Sequence, residues 1–176
     1  MTVLFDTSTL LLALDPDARP PIDPATKQPL EHAKQRVTYL IKVLSKARTK
    51  VIIPAPVLCE VLAGAGAAAN DYIKNLTQSP FRVAPFDTRA AIECANAIAP
   101  NGMRKKSPAS PRAKIKFDHQ IVAIAIVEQV AVIYSDDGDI FNLAKRVALR
   151  VVRSFELELD PGDRQLPLEL PEGDDT

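Results

Sequence analysis

Acidic side chains at the ends of apolar runs are the residues of this chain best suited to chemistry. Val3-Leu4-Phe5 ends abruptly in Asp6, followed by Thr7 and Ser8. Glu60 stands among Val57, Leu58, Val61 and Leu62, and Asp118 precedes the apolar stretch Ile121 to Ala125. Ser135-Asp136-Asp137-Gly138-Asp139 follows the run Ala131 to Tyr134. Each acid alone has a local explanation. Asp6 suits a helix cap, Asp118 the first turn of a helix, Glu60 a solvated surface, and the Asp-Gly cluster a turn. Four coincidences are a poorer account than one shared site. Clustered carboxylates repel one another and must take up protons or bind a cation. A hard divalent ion, Mg²⁺ or Mn²⁺, suits oxygen ligands, and such an ion binds phosphate oxygens, activates water and offsets leaving-group charge. His32 and Cys59 have no partners at ligand spacing, so no zinc site is expected.

The elements that must position these acids follow from the apolar pattern. Val3 to Phe5, Val51 to Ile53, Phe81 to Phe86, Ala131 to Tyr134 and Leu149 to Val152 read as five short strands. Between them lie helical patterns. Leu10, Leu11, Leu12 and Leu14 mark the first, with Thr7 or Ser8 as its expected cap. Val37, Leu40, Ile41 and Leu44 form the inward stripe of the second. Pro56 opens the third, which Gly64 and Gly66 break. Ala67 to Leu76 is a fourth, with Tyr72, Ile73 and Leu76 inward. Asp87 caps Thr88 to Ile98, Phe117-Asp118 opens the next, and Ile140 to Val147 is the last. Strands alternating with helices imply a mainly parallel sheet of about five strands in a three-layer α/β/α sandwich. If the first and fourth strands are neighbours, Asp6, Asp118 and the aspartate turn converge at one sheet edge, where open α/β sheets bind ligands. Glu60 then reaches in from the adjacent element.

The chain is 176 residues long, which fits one domain with its own core. Residues 1–155 form the expected domain, interrupted by a proline-rich loop at 15–29 and a basic loop at 100–116. Residues 156–176 read as an acidic tail. With 22 Lys and Arg against 22 Asp and Glu the net charge is zero, so a nucleic acid must be met by a local patch. Arg104, Lys105, Lys106, Arg112, Lys114 and Lys116 supply one, with no acid between 100 and 116. Such cations give affinity for a phosphate backbone without sequence information. With no Trp and few aromatics, no clear base-stacking platform is visible. Cys59 and Cys94 read as buried thiols of a reducing compartment. No basic leader precedes the first strand, and no apolar run approaches the roughly 18 to 20 residues a membrane span needs. A cytoplasmic protein that does not engage a membrane is expected.

Four motifs, in order, resemble the PIN-domain ribonucleases: Val3-Leu4-Phe5-Asp6-Thr7-Ser8, Ile53-Pro54-Ala55-Pro56-Val57-Leu58-Cys59-Glu60-Val61, Asp118-His119-Gln120-Ile121-Val122-Ala123-Ile124-Ala125, and Ile133-Tyr134-Ser135-Asp136-Asp137-Gly138-Asp139-Ile140. The resemblance implies a metal-dependent endoribonuclease with Asp6, Glu60, Asp118 and Asp137 as catalytic metal ligands and Asp139 as an accessory ligand. The family's last motif reads Thr-Asn-Asp, any residue, Asp, Phe; here Asp136 replaces the Asn. Many such relatives are VapC-type toxins of toxin–antitoxin pairs, from which the proline-rich loop, basic loop and acidic tail depart. The partners expected are RNA, an antitoxin protein if the chain is a toxin, and a second copy of the chain. The rival readings are a catalytically silent RNA-binding or protein-interaction module, and a phosphatase of the haloacid-dehalogenase kind. The latter expects a second Asp where Ser8 stands.

Overall fold

β1 (Thr2–Phe5) is the central strand of a five-stranded sheet of order β3-β2-β1-β4-β5, parallel throughout. The computed structural model describes residues 1–77, 81–98 and 112–164. β2 (Lys50–Pro54) and β4 (Val132–Tyr134) flank β1, while β3 (Phe81–Ala84) and β5 (Arg150–Val152) form the edges. Val3, Leu4, Phe5, Val51, Ile52 and Ile53 are wholly buried, which is why these strands are continuous apolar runs rather than alternating ones. Phe5 makes ring contacts with Phe81 and Tyr134 at 5.8 and 5.5 Å between centroids.

Seven α-helices occur among the described residues: α1 (Thr7–Leu14), α2 (Ala33–Lys46), α3 (Ala55–Ala65), α4 (Ala69–Thr77), α5 (Thr88–Ile98), α6 (Arg112–Val127) and α7 (Gly138–Arg146). α1 packs on α2 and α3, and α6 packs between α5 and α7. The result is the three-layer α/β/α sandwich. A second apolar cluster of Leu12, Leu30, Ala33, Val37, Val152 and Leu157 fills the space beside α2. The proline-rich segment folds back on itself, with Ile22 bridging Pro29 and the Leu30 amide bonded to the Pro21 carbonyl at 2.7 Å.

Several local expectations are corrected. β3 stops at Ala84 rather than Phe86. Ile73 is exposed, because the inward stripe of α4 is Tyr72 and Leu76, four residues apart on one face. Cys59 is exposed while Cys94 is buried, since α3 turns Pro56, Val57 and Val61 to the core and Cys59 away. α6 begins at Arg112, so Asp118 lies well inside a helix and the second half of the basic stretch is helical. After β5 the chain remains attached. Leu157 is buried, and Asp160 pairs with Lys42 at 2.8 Å. Residues 165–176 of the acidic tail lie outside the described residues.

Candidate metal centre

The sheet register builds the centre. The strand order turns back between β1 and β4, the switch point at which α/β sheets open a crevice beyond the strands' carboxyl ends. Phe5 pairs with Tyr134, so one residue further on Asp6 comes level with Ser135. The Asp6 amide donates to the Tyr134 carbonyl at 3.2 Å, and the Ser135 hydroxyl donates to Asp6 Oδ2. Tyr134 likewise pairs with Val152, which brings Asp136 level with Ser154 two residues on. The Ser154 amide and hydroxyl donate to the two Asp136 oxygens at 2.9 and 2.6 Å.

Asp6 is buried and itself caps α1, in place of the expected Thr7 or Ser8. Its Oδ1 accepts from the Thr9 amide at 2.8 Å, and the Ser8 hydroxyl lies 2.9 and 3.0 Å from its two oxygens. The Thr9 hydroxyl is spent on the Tyr134 carbonyl at 2.9 Å, tying α1 to β4. Burial pushes the Asp6 carboxyl up to about 6, against the hydrogen bonds from Ser135, the Thr9 amide and Ser8, which favour the charged form. Hydroxyls and one amide are thus the groups that hold this carboxylate. A cation brought beside it would lower the cost of its charge.

Asp118, Asp137 and Asp139 offer carboxylate oxygens that all lie within 4.8 Å of one another. Asp118 is buried on α6, Asp137 is half-buried, and Asp139 is exposed on the first turn of α7. Ligand oxygens around Mg²⁺ lie at most about 4.2 Å apart across the ion, so small side-chain rotations bring this trio round one ion. An all-oxygen donor set fits a hard divalent cation and not zinc. Asp137 also caps α7, accepting from the Asp139 and Ile140 amides at 2.7 and 3.4 Å. The cap and ligand readings therefore coincide in one residue.

Asp6 and Glu60 lie outside that trio but are joined to its surroundings. The Ser135 hydroxyl that donates to Asp6 accepts from the Asp137 amide at 3.1 Å. Glu60 is exposed on α3, and its Oε2 accepts from the Thr7 hydroxyl at 2.6 Å, next to Asp6. Asp136 faces Ser154 and joins β4 to the segment after β5. Ser154 gave no signal in the sequence; only the β4–β5 register identifies it. Of the basic residues, the backbone puts Arg112, Lys114 and Lys116 on α6 within two turns before Asp118. Arg104, Lys105 and Lys106 lie outside the described residues.

A parallel α/β/α sandwich with a carboxylate trio at its switch point defines a class of α/β domain suited to divalent-ion chemistry. Comparison with known proteins makes the class specific. The profile of the PIN domain matches residues 30–146, more than half of the chain, and the chain belongs to the PIN-domain family. Two solved structures share the fold. One is VapBC2 from Rickettsia felis bound to a DNA fragment from their promoter, at 13% identity and a TM-score of 0.58, covering 87% of this chain and 98% of that one. The other is DNA-bound VapBC from Salmonella typhimurium, at 19% identity and a TM-score of 0.53, covering 88% and 98%. The likeness is one of fold. No curated protein sequence matches significantly.

Proposed function

We propose that this PIN-domain protein is a metal-dependent endoribonuclease. The observation that carries the reading is the convergence of Asp118, Asp137 and Asp139 within 4.8 Å of one another, beside a buried Asp6 at the sheet's switch point. Asp118, Asp137 and Asp139 are the residues to hold Mg²⁺ or Mn²⁺, with Asp6 and Glu60 completing the acidic surround. When bound, such an ion supplies Lewis acidity toward a phosphodiester oxygen and makes a neighbouring water more acidic. The chain's own residues do the positioning. Ser8 and Ser135 hydrogen-bond the Asp6 carboxylate, Thr7 holds Glu60 against the start of α1, and the α7 cap fixes Asp137. No side-chain nucleophile is required. Arg104, Lys105, Lys106, Arg112, Lys114 and Lys116 are the sequence's candidates for meeting the RNA backbone.

Membership of the PIN family, and a fold shared with VapBC complexes, support a toxin role in which an antitoxin protein restrains the nuclease. A second copy of the chain is the other partner proposed. Among the described residues no helix is long and apolar enough to cross a membrane; the cytoplasm, where RNA is met, is the proposed site of action. Cleavage of total cellular RNA in Mn²⁺, wild type against Asp6→Asn, tests the reading. Cleavage by wild type alone is expected. Equal cleavage by both would remove Asp6 from the centre, and no cleavage by either would favour a silent binding module.

A further inference from the structure

The hollow between α7 and β5 is built unlike the acidic centre: it opens at Phe141, one turn of α7 beyond Asp137, and runs toward Arg150 at the amino end of β5. It measures about 390 Å³ and is lined by Phe141, Lys145, Ala148, Leu149, Arg150 and Val151, with no acid among them. Phe141 is exposed although large and apolar. The Arg153 guanidinium sits over its ring, 4.9 Å from the centroid. Arg153 in turn is fixed just past the carboxyl end of β5. Its amide donates to the Glu156 carboxylate at 2.9 Å, and the next residue, Ser154, is clasped by Asp136.

The spacing along α7 matters most. The Phe141 amide bonds the Asp137 carbonyl at 3.1 Å, so Phe141 stands one turn beyond a proposed metal ligand. Lys145 stands one turn further on the same face. At 1.5 Å of rise per residue these positions lie about 6 and 12 Å from Asp137 along the helix axis. A strand leaving the centre along this face would therefore pass Phe141 first and Lys145 next. Aromatic faces and arginine planes stack nucleobases, and lysine and arginine take phosphates. The single-stranded chemistry is favoured over an apolar protein segment because two cations border the hollow and a third covers its aromatic ring.

We propose that the α7–β5 hollow is the binding path for the single-stranded RNA flanking the cleaved bond. Phe141 with Arg153 stacks the first base beyond the centre, and Lys145 with Arg150 takes the phosphates that follow. The proposal rests on the nuclease reading and deepens it by assigning a substrate path outside the basic stretch at 104–116.

The test is fluorescence anisotropy of a labelled 12-nucleotide uridine oligomer with the full chain in EDTA, across a salt series, beside Mn²⁺-dependent cleavage of total RNA. Phe141→Ala is expected to weaken binding about ten-fold, the range of one lost base stack, and Phe141→Tyr to restore it. The double variant Lys145→Gln/Arg150→Gln is expected to lower the salt slope by about 1.4, the value for two phosphates. If wild type cleaves RNA while these variants bind with unchanged affinity and slope, the path is wrong and the nuclease reading stands. If wild type neither binds nor cleaves, both fall. If Phe141→Ala leaves RNA affinity unchanged but turns a dimer into a monomer in sedimentation, the hollow is a subunit interface and the proposal is overturned.

Discussion

At the scale of the residue, the aspartates that look interchangeable in the sequence have different work. Asp6 is a buried cap, Asp137 a cap that is also one of the clustered trio, and Asp136 a clasp for Ser154. Asp136→Asn is expected to keep RNA cleavage and lose about 1 kcal/mol of stability through weakened bonds to Ser154, whereas Asp137→Asn abolishes cleavage. Cleavage assays and urea melts of the two variants check this; loss of cleavage in both would return Asp136 to the centre. Asp6 gives a pH signature. Its folded value of about 6 lies above the ordinary 3.8. The fold therefore disfavours the carboxylate: the penalty is absent below 3.8 and grows as pH rises through 6, reaching on the order of 3 kcal/mol. In EDTA, Asp6→Asn should melt higher than wild type at pH 8 and lose that advantage by pH 4. A variant less stable than wild type at pH 8 would show that the burial cost is met otherwise. The sequence showed that acids cluster after strands. It did not show how the work divides among Asp136, Asp137 and Asp139, because that depends on β5 lying level with β4.

At the scale of the element, the strands were legible and helix starts were less so. Val3 to Phe5 and Val51 to Ile53 admit little but buried parallel strands, and both are fully buried. α6 starts at Arg112, earlier than its apolar pattern, because Arg112 to Lys116 carries cations rather than an inward stripe. This changes the standing of Asp118. A position well inside the helix removes the helix-terminus explanation and leaves burial beside Asp137 and Asp139 as the fact to explain. Helix α3 ends at Gly66, whose φ is +52° and whose added Cβ would meet nothing within 4 Å. Gly66→Ala should therefore cost at least about 1 kcal/mol in urea unfolding through backbone strain alone, with cleavage retained. A neutral effect would mean that the turn relaxes.

At the scale of the whole molecule, the candidate centre follows from the order β3-β2-β1-β4-β5. The β1–β4 pairing sets Asp6 beside Ser135 and opens the crevice where α6 and α7 deliver their acids. The sequence stated this as a condition, that strands one and four be neighbours, and the pairing of β1 with β4 meets it. With zero net charge beside an acidic centre, the proposed RNA binding must depend on local cations, so affinity should fall steeply with salt although the protein as a whole is neutral. Affinity independent of salt between 50 and 200 mM would point to a partner other than nucleic acid. The central claim is that separate carboxylates act as one divalent-ion centre, and calorimetric titration of Mn²⁺ into wild type, Asp118→Asn and Asp137→Asn tests it most directly. Saturable binding by wild type, weakened at least about ten-fold by either substitution, is the expected result. Equal binding by all three proteins, or none by wild type, would contradict it.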